Sequence, residues 1–127
     1  MDQSIKHFPD REETEQDQQP LMSGTVVHNG LVYISGKGAR GERNIHKATA
    51  ICLDSIESGL KEAGSVMERA LKVTVFLDDL NDYSAMNEAY RGRFGENPPV
   101  RTTVACYGGI PGDSIIEIDC IAALNEE

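Results

Sequence analysis

Residues 98–123 read PPVRTTVACYGGIPGDSIIEIDCIAA. The two prolines end whatever helix precedes them, because a residue before proline is pushed out of the helical region. Two strands follow, over about 102–107 and 115–123, joined by a Gly-Gly-Ile-Pro-Gly-Asp connection. Alternate residues of a strand share a face. Ile116, Ile118, Cys120 and Ala122 therefore line one side of the last strand, and Glu117, Asp119, Ile121 and Ala123 the other. Arg101 and Thr103 share a side of the strand before it.

Upstream, Thr25-Val26-Val27-His28 and Leu31-Val32-Tyr33-Ile34 flank Asn29-Gly30, the dipeptide favoured where two successive residues need positive φ. This predicts a β-hairpin, followed by a glycine-rich loop. Leu53, Ile56, Leu60 and Ala63 recur at helical spacing and predict a helix over 45–63, stopped by Gly64. In Leu71–Leu77, the residues Leu71, Val73, Val75 and Leu77 fall on one strand face, with Lys72, Thr74 and Phe76 on the other. A second helix is expected over 82–94, with Tyr83, Met86, Asn87, Tyr90 and Phe94 on one stripe. The order β-β-α-β-α-β-β describes an α+β domain, a mixed sheet with two helices on one face. The other face then needs a partner, which points to a homo-oligomer.

Residues 1–19 are nearly devoid of apolar side chains and read as a flexible or edge-lying tail, so a single domain spans 20–127. The tail holds six acidic and two basic residues, a share of −4 in the net charge of −9. Both parts of the chain are acidic, which disfavours binding to a phosphate backbone. Cys52, Cys106 and Cys120 form no CxxC pair and sit in apolar runs, as reduced thiols of a cytoplasmic protein do. The three histidines lack ligand-like spacing, so no metal site is expected. No apolar stretch approaches a membrane-spanning length, and the N-terminus lacks the hydrophobic run of a secretory signal.

Gly36-Lys37-Gly38-Ala39-Arg40-Gly41 matches the glycine pattern of dinucleotide-binding turns. It follows a hairpin strand, and the helix begins several residues later, so a loop bordering a pocket is the better reading. Arg101 is the sharper signal. Its planar, permanently charged fork suits a carboxylate, although a structural ion pair to Glu117 or Asp119, or a solvated place on an edge strand, would account for it equally well. Glu117, set among isoleucines, would be partly desolvated and would hold its proton to higher pH. Such a carboxyl can pass a proton on, or it is simply an edge carboxylate.

NDYSAMNEAYRGRF, NPPVRTTVA and GIPGDSIIEIDCIAA, together with VYISGKG and LKVTVFLDDLNDY, resemble the YjgF/YER057c/UK114 family, or reactive intermediate deaminase A, from about Pro20 to Ala123. The resemblance implies a chorismate-mutase-like fold and homotrimers with pockets between subunits. It implies hydrolysis of enamines and imines such as 2-aminoacrylate to 2-keto acids and ammonia, without a cofactor. By position it assigns substrate-carboxylate binding to Arg101, help in holding the attacking water to Glu117, and pocket roles to Gly36, Asn87 and Thr103. Many deaminating members have a tyrosine where this chain has Leu21, and commonly a cysteine at Thr103 and a glutamine at Lys37, where the lysine adds positive charge. Competing expectations are a non-catalytic binder of small carboxylates and a ribonuclease or translation inhibitor. The acidic charge opposes the latter.

Overall fold

The computed structural model describes residues 4–10 and 19–126. Its strands are β1 (Lys6–Pro9), β2 (Ser23–His28), β3 (Leu31–Gly38), β4 (Ala70–Leu77), β5 (Val100–Ala105) and β6 (Ile116–Ala123). Two helices, α1 (Ile45–Ala63) and α2 (Tyr83–Tyr90), complete the fold. The strands form one mixed sheet in the order β1-β2-β3-β6-β4-β5. Every pairing is antiparallel except β4 with β5, where α2 supplies the crossover that a parallel neighbour requires.

The hairpin forms where the sequence predicts it: Asn29 and Gly30 take φ of 51° and 80°. Helix α1 matches its expected span. It starts because the Asn44 side chain accepts from the Lys47 amide at 2.9 Å. The α1 stripe of Ala48, Thr49, Cys52, Leu53, Ile56 and Leu60 is buried against β2, β3 and β6. Under it lie Val73, Val75, Leu77, Ile116, Ile118, Cys120 and Ala122 in a continuous core. Both helices lie on this side of the sheet, and α2 packs against α1.

One open alternative is decided for part of its segment, and three elements depart from expectation. Lys6–Pro9, inside the segment read as a flexible or edge-lying tail, pairs with β2 as an edge strand. Its stability comes from the ladder along β2's free edge and from Phe8 packing on the core, and local apolar content does not reveal that. Residues 11–18 of the same segment lie outside the described residues. Helix α2 ends at Tyr90, before the prolines. Gly36-Lys37-Gly38 continues β3, with a register shift between Ile34 and Lys37, and is no loop. Leu71 is an exposed bulge residue between Ala70 and Lys72, so it leaves the core face that Val73, Val75 and Leu77 keep.

The face of the sheet away from the helices carries Tyr33, Thr74, Phe76, Thr102, Val104, Glu117, Asp119 and Ile121, partly or fully exposed. Register proves the grouping: Phe76 opposes both Glu117 and Val104, and Thr74 opposes both Asp119 and Thr102.

Candidate functional site

Arg101 opposes Val73, and Val73 opposes Cys120, so all three point to the helix side. There the guanidinium meets α2. Arg101 Nη2 donates to the Tyr83 hydroxyl at 3.2 Å, and Nη1 approaches Met86 Sδ at 4.0 Å. The guanidinium carbon lies 4.7 Å from the centre of the Tyr90 ring and 5.6 Å from that of Tyr83. Among the described residues no carboxylate comes within ion-pair distance of Arg101. The structural ion pair to Glu117 or Asp119 therefore does not form within the chain.

A cavity of about 320 Å³ opens beside it, lined by Asn87, Tyr90, Phe94, Gly95, Pro98 and Arg101 among others. Thr103 points to the same side, two residues along β5. Its Oγ1 and the Tyr90 hydroxyl are both buried with no hydrogen-bond partner among the described residues. Unpartnered buried hydroxyls are costly, and native structures keep few of them. Burial raises the Tyr90 phenol to about 12, against the opposing pull of the Arg101 charge.

Glu117 belongs to the other side of the sheet. It folds over Gly36 so closely that a Cβ there would collide with the Glu117 carboxylate. A side chain at position 36 would therefore push that flexible carboxylate aside. Burial, and secondarily the neighbouring Asp119 charge, raises the Glu117 pKa. Asp119 has local work of its own, accepting from the Thr74 amide at 3.1 Å. The buried Ser35 hydroxyl, one residue before Gly36, also lacks a partner among the described residues. Ser35 drew no attention in the sequence, although it directly precedes Gly36.

The residues singled out in the sequence thus fall into two groups on opposite faces. Arg101, Thr103 and Asn87 gather where β5 meets α2, and Gly36 gathers with Glu117 on the uncovered face. A single chain does not join them. Lys37 joins neither group. It opposes Ile118 and enters a separate cavity of about 560 Å³ lined by Gly24, Thr25, Asp54, Ser58 and Glu62 among others. The β3 register shift turns it there, so the positive charge expected beside Gly36 lies elsewhere. Leu21 is exposed.

The fold is thus a six-stranded α+β sheet whose uncovered face carries a partly buried glutamate and whose edge strand carries an arginine with no carboxylate partner among the described residues. The sequence profile of the family described as Endoribonuclease L-PSP matches residues 17–124. The mitochondrial protein mmf2 of Schizosaccharomyces pombe is 40% identical over 106 residues, covering 77% of this chain and 83% of that protein. A crystal structure of a YjgF family member from Neisseria meningitidis superposes with a TM-score of 0.79 at 26% identity, covering 98% of each chain. One of YyfA from Yersinia pestis, described as a Rid family protein of unknown function, gives 0.82 at 26% identity, covering 95% of this chain and all of that one. The chain belongs to the YjgF/YER057c/UK114 family. Among the described residues no helix is long and apolar enough to cross a membrane.

Proposed function

We propose that the protein hydrolyses reactive enamines and imines of the 2-aminoacrylate type to 2-keto acids and ammonia. The observation that carries this reading is Arg101: a partly buried guanidinium, bound to no carboxylate of the described residues, at the wall of an open cavity. Such a fork would take the substrate carboxylate in two parallel hydrogen bonds and fix the adjoining electrophilic carbon. An enamine first tautomerises to its imine, the nitrogen losing a proton as the methylene carbon gains one. Water then adds across the carbon–nitrogen double bond, and the carbon–nitrogen bond of the resulting carbinolamine breaks to leave the keto acid and ammonia. Glu117, whose carboxyl keeps its proton to higher pH than usual, would donate it to the departing nitrogen and recover one from the added water.

Because Arg101 and Glu117 occupy opposite faces of one chain, this chemistry requires two copies. The uncovered face of one protomer would meet the β5 edge of another, and a homotrimer closes three such pairs. No cofactor enters the scheme, and a cytoplasmic location belongs to the same reading. Coupling the protein to a serine dehydratase and following imine decay by absorbance tests it. Wild type accelerates decay, and an Arg101→Ala variant that is equally fast would end the proposal.

Leu21, standing where a tyrosine hydroxyl would border the pocket, favours a second reading, a non-catalytic binder of small carboxylates. That protein would bind 2-oxobutyrate through Arg101 and leave imine decay unchanged. The family name Endoribonuclease L-PSP points to RNA cleavage, but a net charge of −9 opposes RNA binding here.

A further inference from the structure

An arginine is ordinarily held in place by carboxylates, and those same carboxylates neutralise it. Arg101 is held differently. Tyr83, Met86 and Tyr90 occupy positions i, i+3 and i+7 of α2, which places them on one helical face above the β5 edge. The Tyr90 and Tyr83 rings lie within cation–π range of the guanidinium, the Tyr83 oxygen accepts from Nη2, and the Met86 sulfur faces Nη1. All of these groups are neutral. The ring quadrupole attracts the cation without supplying a counter-charge, so the site keeps its positive field. Two of the five guanidinium N–H donors are occupied by these contacts, and the others can meet an incoming carboxylate.

We propose that Tyr83 and Tyr90 are positioning residues for Arg101, forming a neutral clamp that aims the guanidinium while leaving its charge available. The inference rests on the reading of Arg101 as the carboxylate anchor and adds two residues to that function. Neither tyrosine is required to touch the reacting carbon. Tyr83 is 41% exposed, so changing it leaves the core intact.

The test uses 2-oxobutyrate as probe, with affinity measured by calorimetry on wild type, Tyr83→Phe, Tyr83→Leu, Tyr90→Leu and Arg101→Ala. Losing the Tyr83 hydroxyl should weaken binding about fivefold, the scale of one hydrogen bond. Losing the ring as well should weaken it about tenfold or more. In the imine assay the Tyr83 variants should raise KM by similar factors and change kcat less than about twofold, because a misaimed anchor weakens substrate and transition state alike. The Arg101 Nε–Hε NMR signal, assigned by its loss in Arg101→Lys, should sit upfield in the ring currents and move downfield in Tyr83→Leu. If both Tyr83 variants bind the probe as wild type does while Arg101→Ala loses it, the clamp is refuted and the anchor stands. If Arg101→Ala binds unchanged, the anchor is refuted and the clamp falls with it. Tyr90→Leu should show the largest clamp effect, and the Tyr83 pair decides the matter alone should that variant not fold.

Discussion

Arg93 and Arg101 follow the same helix and have opposite surroundings. Arg93 Nη2 lies 2.8 Å from Asp54 Oδ1 and 3.7 Å from Glu57 Oε1, tying the segment after α2 to α1. Its charge is spent on two carboxylates, so its work is bracing. Arg101 faces rings, a phenol and a thioether. No carboxylate among the described residues offsets its charge toward the cavity. What separates a structural arginine from a binding one is the charge of its neighbours, and burial alone does not separate them.

The strongest attempt to break the comparison is to truncate each arginine. Arg101→Ala should lower kcat/KM for imine hydrolysis by about 100-fold, the scale of losing two charge-assisted hydrogen bonds, with the melting temperature little changed. Arg93→Ala should leave kcat/KM within about twofold. Equal activity losses from the two variants would erase the distinction. Next in size is Gly36→Ala, which must displace Glu117 from its seat over the glycine. A loss of about tenfold or more in kcat/KM is expected, matched by Glu117→Ala. The double variant should be no worse than either single one, since both remove the same contact. Kinetic assays on the four proteins of that cycle check it.

Smaller still is the cost of Arg93→Ala to stability, about 1 kcal/mol or less by urea unfolding and shrinking as salt is added, because its nearer partner, Asp54, is exposed. The smallest effect concerns Glu117. Its folded pKa is raised, so the folded chain holds a proton that the unfolded chain releases. That contribution is present below the ordinary carboxylate range and is lost as pH rises through the folded value. Glu117→Gln should therefore melt slightly higher than wild type at neutral pH, with the gain gone at about pH 4. Thermal unfolding at the two pH values measures it.

Much of this architecture was legible in the residues. The period-2 alternation of Ile116–Ala123, the heptad-scale stripe of α1 and the Asn29-Gly30 turn each report a local regularity that tertiary contacts then use unchanged. What local patterns left open or missed shares one cause. Strand β1 pairs along the free edge of β2, the bulge at Leu71 and the shift between Ile34 and Lys37 belong to the pairings with β6, and Lys37 is redirected by that shift. None of these leaves a periodicity in its own segment. The α2 stripe of Tyr83, Met86 and Tyr90 was visible as an apolar face, but its role against Arg101 depends on the crossover that lays α2 over β5.

By itself the sequence determined the element types, the faces of the strands, and the residues able to carry charge into them. These follow from backbone periodicity and side-chain chemistry, which act locally. Only the tertiary structure decided that Arg101 meets rings in place of a carboxylate, and that Glu117 closes over Gly36 on the far side of the sheet. Partners distant along the chain are chosen by strand order and register, because those set which side chains share a face and how much water remains between them.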